Sequence, residues 1–132
     1  MSRPPLRAVW FELPAIDLDR AVRFYEAVLG AEFMRERVDG HEMAFFSGGT
    51  DADGIVGAIA TGDVYRPSVE GAIVYFGVDD VEAVLRRATA HGGEVLYPAT
   101  SIGERGMVGE FRDSEGNRVA LHAPPPALKP AG

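Results

Sequence analysis

Not one of the 132 residues is a cysteine. That rules out disulfides, thiol nucleophiles and thiolate metal sites, and it fits a reducing compartment. No apolar stretch approaches the roughly 20 residues that a membrane-crossing helix needs, so no membrane partner is expected. The opening Met1-Ser2-Arg3-Pro4-Pro5 lacks the apolar run of a signal peptide, and a cytoplasmic protein is expected. Basic residues are also scarce: 13 Lys and Arg stand against 20 Asp and Glu, a formal charge of −7. That field repels phosphate backbones, and Arg86-Arg87 is too small a cluster to reverse it locally. Nucleic acid is not an expected partner. A cationic or weakly basic small ligand is favoured.

What is present is one pattern, twice. A shift of 63 residues lays Trp10-Phe11-Glu12-Leu13 over Ile73-Val74-Tyr75-Phe76, Asp17 over Asp80 and Gly30 over Gly93. A shift of 62 lays Gly54-Ile55-Val56-Gly57-Ala58-Ile59-Ala60 over Gly116-Asn117-Arg118-Val119-Ala120-Leu121-His122, so the offsets differ by one loop residue. Each half reads as a strand, a helix and further strands. Two incomplete units that need a shared sheet or core are expected: one domain over 1–132, with modules at 8–62 and 71–123 and a proline-rich extended tail at 124–132. A domain of this length buries roughly two-thirds of the surface of its unfolded chain.

The first helix is predicted to start at the cap Asp17 and stop at Gly30, with Ala21, Phe24, Tyr25, Val28 and Leu29 on one face. The second should start at Asp79 or Asp80 and stop at Gly92-Gly93. In strands, residues two apart share a face. Between Ala8 and Pro14, Phe11 and Leu13 form one row and Trp10, Glu12 and Pro14 the other. Between Gly71 and Val78, Val74 and Phe76 oppose Ile73 and Tyr75. In the last strand Val119 and Leu121 oppose Ala120 and His122. Each module therefore has an apolar row for its helix. The opposite rows hold Trp10, Glu12, Ala58, Ala60, Ile73, Tyr75, Ala120 and His122, the mixture expected of a ligand pocket.

Three kinds of segment carry a family resemblance: Phe11 to Gly30; Val78-Asp79-Asp80 with Ala90-His91-Gly92-Gly93; and Phe111 to Arg118. The chain resembles the vicinal-oxygen-chelate superfamily of glyoxalases, bleomycin-resistance proteins and extradiol dioxygenases. That resemblance implies an α+β fold of two tandem βαβββ modules whose curled mixed sheets surround a shared cavity, usually in a homodimer. It also implies that metal ligands, where a member uses metal, come from the first and last strands of each module. Here those positions are Trp10, Ala58, Ile73 and Ala120, and none offers an imidazole, carboxylate, amide oxygen or thiolate. The standard metal site is absent, and no cofactor is expected.

Two residues further along these strands stand Glu12, Ala60, Tyr75 and His122. Glu12, Tyr75 and His122 are the catalytic candidates; Trp10, Ala58, Ala60, Ile73 and Ala120 are the ligand-binding candidates. One reading is a lyase or isomerase acting next to a carbonyl, with Glu12 as general base and His122 or Tyr75 holding the oxyanion. The alternative is a non-catalytic binder of a small, antibiotic-like organic molecule. A third has Glu12 and His122 binding a divalent metal in a displaced site. Each residue also has a structural role open to it: Glu12 paired with an arginine such as Arg118, His122 hydrogen-bonded or facing solvent, Tyr75 as pocket wall, and Trp10 as packing. His41 is expected to be exposed beside a hairpin turn, and His91 to cap its helix. Gly103–Gly106 suits a loop over a pocket mouth, and 48–54 reads as a turn rather than a calcium loop.

Overall fold

Helix caps and strand periods set the element limits. The computed structural model describes residues 6–47 and 56–126; the 48–54 turn and the tail beyond 126 lie outside them. The first module runs β1 (Trp10–Ala15), α1 (Leu18–Leu29), β2 (Glu32–Val38), β3 (His41–Ser47), β4 (Val56–Thr61). The second runs β5 (Val74–Gly77), α2 (Val81–Ala90), β6 (Glu94–Ser101), a short 3-10 turn (Gly103–Arg105), β7 (Met107–Arg112), β8 (Arg118–Ala123). An Asp17 carboxylate oxygen accepts the Arg20 amide at 3.0 Å, and Gly30 closes α1 at φ 67°. Of the two candidate caps for α2, Asp80 is the one used, accepting the Ala83 amide at 3.0 Å. Caps of this kind contribute about 1 kcal/mol each.

The two sheets have the same plan, β1-β4-β3-β2 and β5-β8-β7-β6, with the first pair parallel and the others antiparallel. Their registers repeat too: Glu12 stands level with Ala58, and Tyr75 with Ala120. These pairs carry the offsets of 63 and 62 seen in the sequence, confirming the α+β βαβββ repeat. The strand predicted from Gly71 to Val78 is shorter, Val74–Gly77. Gly71 turns at φ 94°, and the Arg118 amide, level with Ile73 by extension of the register, donates to Ser68 O instead. Ile73 thus precedes the strand.

The apolar rows face the helices, as their alternation requires. Leu13, Ala15, Ala44 and Ile59 from the first sheet join Phe111, Val119, Leu121 and Ala123 from the second around Ala21, Phe24, Tyr25 and Val28 of α1 and Val81, Val84, Leu85 and Ala88 of α2. Aromatic contacts cross between modules, Phe11 to Phe76 and Phe46 to Phe76, each with ring centroids 5.6 Å apart. Gly109 lets α2 sit close to its sheet, since a Cβ there would fall 2.7 Å from Val81 and 3.0 Å from Leu85.

A polar clamp at the β7–β8 turn ties the modules together. Asp113 Oδ1 accepts the amides of Glu115, Gly116 and Asn117 at 2.9, 3.0 and 2.9 Å. Its Oδ2 accepts the Tyr25 hydroxyl at 2.6 Å and Asn117 Nδ2 at 3.0 Å. Asn117 Nδ2 also donates to Pro14 O at the end of β1, 2.7 Å away. Glu115 reaches the entry of α1, accepting the amides of Ile16 and Asp17 and the Arg20 guanidinium at 2.7 to 3.0 Å. Burial pushes the Tyr25 phenol well above its ordinary value, with the Asp113 charge adding to it, so it remains a donor.

Candidate functional site

The face of the first sheet turned away from α1 gathers four of the sequence candidates. Trp10 and Glu12 come from β1 and Ala58 and Ala60 from β4, joined by Met43 and Phe45 of β3. Met43, Ala58 and Ala60 form a small buried cluster apart from the main core, with Phe45 and Tyr65 packed on it. Trp10 meets Phe45 edge-on, centroids 5.6 Å apart. The alanines are therefore covered rather than open. The cover is the segment after β4: the Tyr65 amide donates to Gly62 O at 3.0 Å, turning the chain back over β3 and β4.

Glu12 is exposed, and both its oxygens are engaged. Oε2 accepts Trp10 Nε1–H at 3.3 Å and Oε1 accepts the Tyr65 hydroxyl at 3.0 Å. The bond to Glu12, more than burial, raises the Tyr65 phenol above its ordinary value, so it stays protonated and donating at neutral pH. The pairing with Arg118 is not formed: that guanidinium binds Glu110 at 2.6 Å on the second sheet. The two are held apart because Arg118 begins β8, level with Arg112 of β7, where Glu110 is its near neighbour.

His41 departs from its expected exposure. It is half-buried, Nδ1 lies 3.1 Å from Thr61 O, and its ring meets Tyr65 edge-on at 5.3 Å. The returning segment causes this, and Gly62 permits it: a Cβ at Gly62, whose φ is 136°, would lie 2.3 Å from His41 Nδ1.

The second sheet's outer face carries Tyr75, Ala120 and His122. Tyr75 is 54% exposed, level with the fully buried Ala120. His122 stands two pairs further along, level with Gly77, just as Ala60 stands level with Pro14 rather than with Glu12. The row Glu12, Ala60, Tyr75, His122 is thus staggered across each strand pair. His122 Nε2 lies 2.5 Å from Arg105 O in the Gly103–Gly106 loop. A carbonyl can only accept, so Nε2 carries a proton, which leaves Nδ1 as the ring nitrogen outside this bond.

Among the described residues, no three or more His, Asp or Glu gather to hold an ion. Indole, methyl and butyl side chains at the four standard positions do not fit the metal of metal-using members. A separate groove of about 380 Å³ lies between α2 and β6, lined by residues such as Leu85, Arg86, Val95 and Pro98. None of the candidates borders it.

The repeated βαβββ units span the residues, 7–121, that match the sequence profile of the Glyoxalase/Bleomycin resistance protein/Dioxygenase superfamily. The chain belongs to that superfamily. A "Glyoxylase-like domain-containing protein" of Didymella fabae is 30% identical over 114 residues, covering 83% of this chain and 88% of that protein. CFP32 of Mycobacterium tuberculosis is 31% identical over 118 residues, 85% of this chain but 43% of its own length. In structure, a glyoxylase/bleomycin resistance protein/dioxygenase domain from Frankia shares the fold at a TM-score of 0.69 and 19% identity, with 91% of this chain and 99% of that one covered. A glyoxalase I mutant from Zea mays does so at 0.66 and 20%, over 87% of this chain and 46% of that one. The chain thus spans under half the length of the mycobacterial and maize proteins. Membership fixes the fold and leaves the reaction open, because the superfamily's name joins several activities. Among the described residues no helix is long and apolar enough to cross a membrane.

Tyr65 and Phe45 were missed from sequence. Phe45 lies in a strand outside the aligned repeat segments, and Tyr65 lies between modules, where no period marks a facing residue. The Gly62-Asp63-Val64-Tyr65 turn composition was the one available signal.

Proposed function

We propose that this superfamily member binds a small organic molecule at the outer face of its first sheet, with Glu12 receiving a hydrogen-bond donor or cation of the ligand and Trp10 and Phe45 flanking its flat apolar part. The observation that carries the reading is the exposed Glu12 carboxylate among aromatic rings, both oxygens already receiving donors from neutral side chains. Binding is favoured over proton abstraction because an enolate would need donors of its own. Trp10 Nε1 and the Tyr65 hydroxyl are spent on Glu12, and His122 Nε2 is spent on Arg105 O. Nδ1 of His122, outside that bond, supports a second reading, a lyase or isomerase in which His122 accepts a proton beside a carbonyl. The reading for binding needs no metal.

The charge of −7 adds a preference for cations that salt should weaken. An aryl ammonium should bind about tenfold tighter than its neutral isostere at low salt, and Glu12→Gln should remove most of the difference, leaving only the small long-range share of the remaining net charge. Isothermal titration of both ligands against both proteins measures this. Equal affinities in the unaltered protein would remove the cationic preference, and affinity indifferent to Glu12→Gln would remove the site.

A homodimer belongs to the same reading. Trp10, 44% exposed, stands level with exposed Val56 on the first sheet, and Tyr75, 54% exposed, stands near exposed Ile73 beside the second, apolar surface that a second copy would cover. Sedimentation equilibrium should return twice the chain mass; a monomer at all concentrations tested would reject the pairing.

A further inference from the structure

The residue that covers the proposed site has the chemistry of a ligand. Tyr65 lays its ring on Met43, Ala58 and Ala60, meets His41 edge-on and gives its hydroxyl proton to Glu12. Ala58 and Ala60 are the smallest side chains that could form that floor while still alternating with Gly57 and Ile59, which face the other way. The space the Tyr65 ring fills above that floor, with the Glu12 acceptor at its end, is a trough shaped to a ring. The occupant arrives from outside the sheet: Tyr65 lies 53 residues from Glu12 on a segment with no strand or helix of its own. Its neighbours Val64 and Arg66 are exposed and give that segment no packing there. At Tyr65 itself, one side-chain hydrogen bond, one turn bond to Gly62 O and one half-buried ring hold it down; the next tie, from the Arg118 amide to Ser68 O, lies three residues on.

We propose that Tyr65 is a displaceable plug, an internal stand-in for the ligand, and that the trough beneath it takes an aryl group bearing a hydrogen-bond donor, a phenol being the simplest case. The inference rests on the binding reading above and adds the ligand's chemical class and the residue that controls entry. In solution the trough opens only in the fraction of molecules whose Tyr65 has swung out. Apparent affinity falls by that fraction, and removing the plug restores it. A cavity left by a ring, lined by apolar walls, accepts a free ring of similar shape.

Trp10 is the single tryptophan of the chain and touches both Glu12 and Phe45, so its fluorescence reads the site directly when excited at the red edge of the band, where phenol does not absorb. Phenol is titrated into the unaltered protein, Tyr65→Ala, Tyr65→Phe and the double variant Tyr65→Ala with Glu12→Gln. Tyr65→Ala should bind phenol at least about tenfold tighter than the unaltered protein, and adding Glu12→Gln should cancel most of that gain. Tyr65→Phe keeps the ring and loses the latch, so it should fall between; it decides the matter if Tyr65→Ala does not fold. Equal phenol affinity with and without the Tyr65 hydroxyl and ring overturns the plug, and so does the absence of a saturable Trp10 response in every variant. Binding that ignores Tyr65 yet weakens with Glu12→Gln would overturn the plug alone and leave the binding site standing.

Discussion

Asp113→Ala is expected to destabilise the fold by about 3–5 kcal/mol, close to the whole stability of a marginal domain. Asp113 is 4% exposed, and its two oxygens close five hydrogen bonds, three to amides of its own turn and two to the side chains of Tyr25 and Asn117. Alanine leaves those donors without partners at a boundary closed to water, and each orphaned group costs about 1–3 kcal/mol. The damage spreads beyond the turn. Once Asn117 loses its anchor, its bond to Pro14 O at the end of β1 loosens, and that strand carries Glu12. Asp113→Asn separates the causes. It keeps the volume and one acceptor but turns an amide group toward Tyr25 and Asn117, so an intermediate loss is expected. Urea midpoints followed by circular dichroism measure both; a loss under 1 kcal/mol for Asp113→Ala would show that the modules hold together without the clamp.

Acid should unfold the protein through Glu115. Its side chain is 1% exposed. Burial alone would raise its pKa, but the bonds from Arg20, the Asp17 amide, Ser114 and the Ile16 amide outweigh burial and leave the carboxyl below its ordinary 4.5. A carboxyl depressed on folding contributes in full above its unfolded value and loses that contribution as pH falls through the folded one. Stability should therefore hold steady at neutral pH and decline from about pH 5 downward. Glu115→Gln should cost about 2–3 kcal/mol at pH 7, because an amide donor then faces Arg20. It should also flatten the decline in acid. Unfolding free energies collected from pH 7 to pH 3 check both; an unchanged acid limb in the variant would assign acid sensitivity to other carboxylates.

Both effects arise at a turn whose residues, Asp113 to Asn117, were legible in the sequence as a signature of fold without a visible reason. The tertiary structure supplies it, because Glu115 bonds the α1 entry 98 and 99 residues away and Asn117 reaches Pro14 across 103. The same distinction governs the candidate site. Alternation in β1 and β4 correctly put Trp10, Glu12, Ala58 and Ala60 on one face, since a strand's period is local. It could not show that the alanines are covered, that Glu12 passes over Arg118, or that His41 is half-buried, since each depends on where the segment after β4 returns.

The sequence by itself determined the two βαβββ modules, the α1 limits at Asp17 and Gly30, the α2 start to within Asp79 or Asp80, the helix-facing row of every aligned strand and the lack of donor side chains at Trp10, Ala58, Ile73 and Ala120. Period, capping chemistry and side-chain donors act within a few residues, so they are written in the chain order. Only the tertiary structure decided the partners of Glu12 and His122, the staggered level of Ala60 and His122, and the placement of Tyr65 over the trough. Those rest on contacts between residues far apart in the chain, where packing rather than local pattern selects the neighbour.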